Sequence, residues 1–197
     1  MTTETGKSGN GTKAREQKLT FYHPNAAGNG VALQFEPRVN RRESDRYNCF
    51  FFEMAAQKTI PEREGDKRVM PTFDWANKLT VKLDFADICE LLMVLEGRQE
   101  RVGGQKNGIY HDSDKANTII TFGKIPEKGG YSFGLSRKDK GSGQLTRLSI
   151  GLSEAEALGV KTIIQGGLFF ITFHTHMFLE RQETGSRMQE SECENVK

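Results

Sequence analysis

The sequence predicts an α+β protein built from two pseudo-symmetric units, each an antiparallel sheet followed by a helix. The pattern of residues 79–95 (LTVKLDFADICELLMVL) returns at 148–164 (LSIGLSEAEALGVKTII), which indicates an internal repeat. In both copies a strand of alternating apolar and polar side chains leads directly into an amphipathic helix. Each helix begins with a capping residue and has a carboxylate three positions later, the spacing of a capping box. These pairs are Asp84 with Asp87 and Ser153 with Glu156.

The first unit shows strand patterns before its helix. Its second strand alternates apolar and polar side chains and stops at Pro37. Its third, YNCFFFEMA, is dense in aromatic residues and predicts apolar side chains on both faces. A charged stretch with two prolines predicts an exposed loop. The predicted elements are strands at 19–23, 31–36 and 47–55, the loop at 59–71, a long strand at 73–83 and a helix over about 85–97.

The second unit has glycine turns at 129–130 and 141–143, between segments that read as strands. The predicted strands lie near 108–111, 117–125, 131–138 and 145–152, and the helix follows Ser153. Two interpretations of the end of this helix stay open. The pair Gly166-Gly167 favours a break, whereas the apolar residues Val160, Ile164, Leu168 and Ile171 keep helical spacing across the glycines.

Domain boundaries follow from composition. Residues 1–18 are rich in Gly, Ser, Thr and Lys without an apolar period, so we expect a disordered tail. Residues 180–197 are polar, end in an acidic cluster and predict a second tail. The remaining 19–179 form one domain with repeats at approximately 19–98 and 106–179.

The composition excludes several classes of protein. The net charge of the 197 residues is only +2, so overall basicity does not indicate nucleic-acid binding, although residues 124–147 carry six basic residues against two acidic ones. Three cysteines without a CxxC pair indicate a reducing compartment and argue against a disulfide framework or a zinc site. The sequence has no signal peptide and no apolar stretch that could span a membrane. We therefore expect a soluble intracellular protein, cytoplasmic, nucleoid-associated or in an organellar matrix, with no membrane partner.

The strands that lead into the helices have two unlike faces, one aliphatic and one carrying Lys, Thr and Ser. The aliphatic face is expected to pack under the helices and leave the other face open. An open sheet with cations and aromatic rings suits single-stranded nucleic acid, because cations attract phosphates and rings stack on unpaired bases. An ordinary solvated sheet face is the alternative. The candidate nucleic-acid-binding residues are Trp75, Lys78, Lys82, Phe122, Lys124, Arg137, Lys138 and Lys140.

Chemical motifs do not argue for an enzyme. The sequence lacks phosphate-loop, nucleophile-elbow and metalloprotease patterns, and no catalytic residue, metal or cofactor is predicted. The pair His174 and His176 has no third ligand at convincing spacing.

Four stretches resemble the Whirly family of single-stranded DNA-binding proteins, which shares a fold group with the positive-cofactor-four coactivators and the kinetoplastid guide-RNA-binding proteins. GNGVALQFEP (28–37) resembles the family's K-G-K-A-A-L strand, and FDWANKLTVKL (73–83) resembles its Tyr-Asp-Trp strand. YSFGLS (131–136) and LSEAEALGV (152–160) resemble the second repeat. The matching residues are Ala32, Leu33, Pro37, Asp74, Trp75, Lys78, Leu83, Ala155 and Glu156. Gly28 and Gly30 stand where the signature has lysines.

The resemblance implies two units of a four-stranded sheet plus helix, and a second helix that continues through its glycines. It also implies a homo-oligomer, a tetramer in the family, formed through the helices. The implied function is binding of single-stranded DNA with little sequence preference, in DNA protection, recombination and repair, replication or transcription. Two alternatives remain: an RNA-binding protein of the same fold, and a non-catalytic structural or assembly protein, which the Phe-rich run 50–52 favours.

Overall fold

The computed structural model describes residues 18–38, 49–127 and 129–173. The predicted tails, apart from Lys18, and the pair His174 and His176 lie outside this part of the chain.

The two units follow the same order of elements. The first contains β1 (Leu19–His23), β2 (Val31–Arg38), β3 (Cys49–Ala56), a small hairpin of β4 (Glu62–Glu64) and β5 (Lys67–Val69), β6 (Leu79–Leu83) and helix α1 (Phe85–Leu95). The second contains β7 (Ile109–Asp112), β8 (Ala116–Lys124), β9 (Tyr131–Asp139), β10 (Leu145–Leu152) and helix α2 (Glu154–Phe173). The strand orders are β1-β2-β3-β6 and β7-β8-β9-β10, with antiparallel neighbours throughout. The predicted α+β class and the two repeated units are therefore confirmed.

The region between β3 and β6 differs from the prediction. The expected loop at 59–71 contains the β4–β5 hairpin. The expected strand at 73–83 begins only at Leu79, because the Asp74 side chain accepts a hydrogen bond from the backbone N–H of Asn77 and caps a 3₁₀ turn over Trp75–Asn77. A side chain that satisfies the backbone locally competes with strand pairing.

Cross-strand registers reveal which residues of the two units correspond. Phe35 pairs with Phe52 and Phe52 with Val81, while Phe122 pairs with Phe133 and Phe133 with Ile150. With these rows superposed, the Tyr-His dipeptide of β1 (residues 22–23) corresponds to the Tyr-His dipeptide of β7 (residues 110–111). The repeat therefore extends to the first strand of each unit.

Aromatic rings join the two sheets in the core. Phe35 and Phe52 have ring centroids 4.1 Å apart, and Phe52 lies 5.1 Å from Phe133 of the other sheet. All three side chains are buried. Such offset or edge-to-face contacts add about 0.5–1.5 kcal/mol per pair to the free energy gained by burial.

Both helices begin as predicted, and the open question about α2 is answered. Capping boxes are present at Asp84 and at Ser153. Helix α2 continues through Gly166 and Gly167 to residue 173. A Cβ on Gly167 would lie 2.0 Å from Cζ of Phe50, so the glycine allows the helix to approach the sheet closely. No helix in the described part of the chain is long and apolar enough to cross a membrane.

Candidate nucleic-acid interface

Each sheet has an inner face in the core and an outer face away from it, because successive side chains of a strand point to opposite sides. In β10, for example, Ile150 and Leu152 are buried, while Arg147, Ser149 and Gly151 between and before them are exposed. The outer faces of the first and second sheets, called here the first face and the second face, are the surfaces open to a partner.

The first face is occupied by a polar network around Glu53. This carboxylate is only 4% exposed and lies 2.6 Å from Nζ of Lys78. It also accepts hydrogen bonds from Nε2 of Gln34 at 2.7 Å and from Oγ1 of Thr80 at 3.4 Å. The charge of Lys78 is therefore balanced on the same face.

A second buried carboxylate on the first face, Glu36, also lies beside a lysine. Its Oε2 lies 2.6 Å from Nζ of Lys18, which is also 3.9 Å from Glu53. Lys82 is half-buried on the same face, in register with Phe51, which in turn pairs with Glu36. The first face thus combines its lysines with two buried acids.

The second face has glycine at both positions that correspond to these acids. Gly123 corresponds to Glu36, and Gly134 corresponds to Glu53. The neighbouring outward residues are also small, so most of the floor of this face is backbone. They are Ser132, Ser136, Ser149 and Gly151.

Two cations lie on the second face without an acidic partner. Arg147 occupies the position that corresponds to Lys78, and Lys138 lies one strand away on β9. Among the described residues, neither forms an ion pair. Together with Tyr110, Leu145 and Asp112, which pairs with Lys140, they line a groove of about 460 Å³. The ring of Tyr110 is 57% exposed at the edge of this groove.

A second hollow continues along the same face toward the end of β8. It has a volume of about 420 Å³, and Lys124, Thr121 and Ser132 line it together with Arg101. The Arg101 guanidinium donates to Oδ1 of Asn107 at 3.2 Å. Glu100 also lines this hollow, so its charged groups are of both signs.

Aromatic side chains also lie exposed beside the first face. Tyr22, which corresponds to Tyr110, is 56% exposed. Its ring is 5.5 Å from that of Phe73 and 6.5 Å from that of Trp75. This cluster places the predicted Trp75 at the surface, in contact with a tyrosine that the sequence analysis did not single out.

Two of the predicted residues point away from the open faces, and a third is paired with an acid. Phe122 is 3% exposed and stacks on Tyr131 inside the core, with ring centroids 5.4 Å apart. Arg137 points inward, where its guanidinium donates to the backbone carbonyl of Thr80 in the other unit. Lys140 pairs with Asp112 at 2.6 Å.

The tip between β9 and β10 is ordered by Asp139. Its carboxylate accepts hydrogen bonds from the backbone N–H and the hydroxyl of Ser142 at 2.6 and 2.8 Å. The backbone hydrogen bond, followed by that of the hydroxyl, lowers the pKa of Asp139 below its usual value. The basic tip predicted from the sequence thus contributes Lys138 to the second face, while Asp139 has its partners within the turn and Lys140 pairs with Asp112 of β7.

The sequence analysis missed Tyr110, Tyr22 and Arg147. A signal for the tyrosines was present, because Tyr-His occurs once in the first strand of each unit. A signal for Arg147 was present too, because it directly precedes the second copy of the repeat as Lys78 precedes the first. In the described part of the chain no group of three metal-binding side chains occurs.

Solved structures with the same architecture define the class of fold. WHY1 from Arabidopsis thaliana is 15% identical, with a TM-score of 0.58, and the match covers 86% of this chain and 92% of that one. The plant transcriptional regulator PBF-2 is 15% identical, with a TM-score of 0.59 and coverage of 79% and 89%. A guide RNA-binding protein complex bound to a gRNA is 19% identical, with a TM-score of 0.53 and coverage of 83% and 97%. No family model and no curated protein sequence matches the chain.

These likenesses agree with the two sheets and two helices described above. The chain has a Whirly-like fold, shared with guide-RNA-binding proteins, as the resemblance of the four sequence stretches implied.

Proposed function

We propose that this protein binds single-stranded nucleic acid, and DNA in particular, with little sequence preference and without catalysis. It would act in DNA protection, recombination and repair, replication or transcription. The observation that carries the proposal is the second face, where Lys138 and Arg147 stand without acidic partners beside the exposed ring of Tyr110. Cations attract the phosphates, and stacking on an aromatic ring contributes about 1–3 kcal/mol per base.

The preference for a single strand follows from the need for unpaired bases. A ring that projects from a sheet can stack on a splayed base, whereas the bases of a duplex are already stacked on each other. The cluster of Tyr22, Phe73 and Trp75 supplies further rings beside the first face, with Lys78 and Lys82 nearby as weaker phosphate contacts. Lys124 is exposed at the end of β8, beside the second hollow, and would supply a further phosphate contact.

RNA is the second candidate ligand on the same surface. The fold likeness to a guide RNA-binding protein complex bound to a gRNA supports it, as the likeness to a plant transcriptional regulator supports DNA. Competition between labelled single-stranded DNA and unlabelled RNA of equal sequence and length separates these candidates. If RNA displaces DNA at a lower concentration than DNA itself does, RNA is the preferred ligand.

The first test is fluorescence anisotropy with a labelled single strand of about 30 nucleotides and the matching duplex across a salt series. We expect tighter binding of the single strand, with a log–log salt slope of about −0.7 per neutralised phosphate. Equal binding of single strand and duplex at equal salt, or no binding at low salt, would contradict the proposal.

A matched pair of variants tests the location of the site. Arg147→Gln and Lys78→Gln each remove one charge from corresponding positions of the two faces. We expect Arg147→Gln to weaken binding about fivefold and to make the salt slope shallower by about 0.7. Lys78→Gln is expected to change the affinity by less than about twofold, because Glu53 already balances that charge. Equal losses from the two variants would argue against the second face as the main site.

We also propose that the chain forms a homo-oligomer through its helices, a tetramer by analogy with the fold group. Phe85 of α1 and Leu158 of α2 are 53% and 65% exposed, and these apolar side chains are our candidates for the contact between copies. Light scattering of Leu158→Lys should report a smaller mass than that of the wild type. Oligomers that bind neither DNA nor RNA would instead favour the rival function, a structural or assembly protein.

A further inference from the structure

The first strands of the two units are edge strands held in place by the opposite unit. Within the described ranges, β1 pairs only with β2 in its sheet, and β7 only with β8. Nε2 of His23 lies 2.7 Å from Oε1 of Glu156 on α2, and Nε2 of His111 lies 2.9 Å from Oδ2 of Asp87 on α1. Each strand of one unit is thus attached to the helix of the other, in two reciprocal contacts.

The carboxylates in these contacts are the second members of the two capping boxes, three residues after the capping residues Asp84 and Ser153. Asp87 also accepts from the backbone N–H of Asp84 at 3.2 Å, and Glu156 accepts from the backbone N–H of Ser153 at 2.8 Å. Each histidine is therefore bound to a group whose position the helix start already fixes. The histidine in turn fixes its strand.

The residue before each histidine is an exposed tyrosine of the candidate interface. Because adjacent side chains of a strand point to opposite faces, a histidine held inward directs its neighbour outward. Tyr22 and Tyr110 are 56% and 57% exposed, so the two dipeptides have the same arrangement. The Tyr110 hydroxyl also donates to the backbone carbonyl of Lys106 at 2.8 Å, so the histidine contact is one of two contacts that position this ring.

We infer that the two Tyr-His dipeptides are proton-sensitive clamps, in which each protonated histidine holds its edge strand to the helix cap of the other unit and so fixes the neighbouring tyrosine for binding. A hydrogen bond between an imidazolium and a carboxylate is roughly twice as strong as one between neutral groups. Histidine changes its charge between about pH 5 and pH 8, a range in which lysine, arginine and phosphodiester groups do not. The effect on affinity rests on the proposed function, whereas the clamps themselves do not.

Other charged groups lie near the two histidines, and some of them favour protonation of the ring while one opposes it. Near His23, Glu154 lies in the same first turn of α2 as Glu156 and accepts from the backbone N–H of Gly130 at 3.1 Å. Near His111, Asp84 adds a second acid at the start of α1.

One cation opposes protonation at the second clamp. Arg137 donates to Oγ1 of Thr118, the residue opposite His111 in the register of β7 and β8. At both helix starts the acidic groups predominate, so protonation of the histidine strengthens both contacts.

Stability against urea tests the clamps without any nucleic acid. Glutamine keeps an N–H donor but does not titrate, so we compare His23→Gln, His111→Gln and the double variant with a control in which His174 and His176 are both changed to Gln. From about pH 6 to pH 8 the unfolding equilibrium constant of the wild type should rise roughly tenfold, about threefold per clamp. The double variant should show no such rise, and the control should behave as the wild type. An unchanged pH dependence in the double variant would overturn the inference.

The sole tryptophan reports on the first clamp separately. The ring of Trp75 is 6.5 Å from that of Tyr22, so its emission should change over the same pH range if protonation of His23 fixes Tyr22. The change should persist in His111→Gln and disappear in His23→Gln. Persistence in His23→Gln would exclude the coupling between histidine and tyrosine.

Binding of oligo(dT) at constant salt then tests the positioning role. We expect the affinity of the wild type to fall about threefold from pH 6 to pH 8, and His111→Gln to lose most of this dependence. A purely structural role would lower the affinity equally at every pH. Absence of binding at every pH would refute the proposed function. The clamps would then be judged by the urea experiment alone. Binding that is independent of pH would overturn the positioning role.

Discussion

The two units share an inner plan and differ on their outer faces. Inward residues correspond closely, as with the row Phe35, Phe52 and Val81 against Phe122, Phe133 and Ile150. On the outer faces, the second sheet has glycines at the two positions where the first sheet has buried acids. The core constrains the inner residues of both sheets in the same way, whereas the outer faces were free to diverge. The first face carries a closed polar network, and the second is an open surface with two cations that form no ion pair among the described residues.

The largest expected effect concerns the second helix, which is longer than the first. Gly167 lies against the buried ring of Phe50, and an added Cβ would overlap that ring at 2.0 Å. We expect Gly167→Ala to lower the free energy of unfolding by about 3 kcal/mol, because the core would have to shift. A Cβ on Gly166 meets no atom within 4 Å, so Gly166→Ala should stabilise by up to about 1 kcal/mol. Chemical denaturation compares the pair, and equal effects would refute the close approach.

The next effect concerns the polar network of the first face. Glu53→Gln keeps the size of the side chain but removes the negative charge that binds Lys78. We expect a loss of about 1–3 kcal/mol in the free energy of unfolding, since a charge-assisted hydrogen bond in a buried site is lost. Ser136→Ala on the second face should change the free energy of unfolding by less than about 0.5 kcal/mol. The same Glu53→Gln variant should bind single strands more tightly, because Lys78 is no longer balanced. Unchanged affinity would show that the first face does not contact the ligand.

Local patterns of the sequence sufficed to predict most of the architecture. The alternation of apolar and polar residues predicted the strands, and capping pairs such as Asp84 with Asp87 predicted the helix starts. Both signals depend on residues that are neighbours in the chain. The turn at Asp74 was missed, since one side chain there outweighed the strand pattern of the residues around it. The continuation of α2 through Gly167 depended on Phe50, which is distant in sequence.

The site was harder to predict than the fold because it depends on partners across strands. The ion pair of Lys78 with Glu53 follows from the register of β3 and β6 and has no local signal. Phe122 and Lys124 share an alternation pattern, yet Phe122 is in the core and Lys124 is exposed at the end of β8. Which face of a strand is buried is decided by the packing of the whole sheet.

The third prediction concerns a substitution that makes the second face more like the first. Gly151 corresponds to Lys82, and a Cβ at this position would meet no atom within 4 Å. Gly151→Glu should therefore fold normally but place a negative charge beside the proposed path of the phosphates. We expect a loss of about tenfold in affinity for the single strand, with Gly151→Gln as the neutral control. Equal losses from Glu and Gln would indicate a steric effect instead of an electrostatic one.

The smallest expected effects concern how the two helix caps contribute to stability at acidic pH. Burial raises the pKa of Asp87, and this exceeds the opposing influence of the Asp84 backbone N–H and of His111. At Glu156 burial also raises the pKa, but the hydrogen bonds with His23 and Ser153 outweigh it and the net pKa is lowered. Corresponding carboxylates are thus shifted in opposite directions.

Opposite shifts imply opposite responses of stability to pH. The ionised form of Glu156 favours folding, so its contribution is complete above the ordinary value of 4.5 and is lost as the pH falls through the lowered pKa. The contribution of Asp87 is complete below the ordinary value of 3.8 and is lost as the pH rises through the raised pKa. Between about pH 5.5 and pH 3.5, Glu156→Gln should therefore lose less stability than the wild type and Asp87→Asn should lose more, each by less than about 1 kcal/mol. Urea titrations at both ends of this range measure the difference, and changes of the same sign would show that the two caps are equivalent after all.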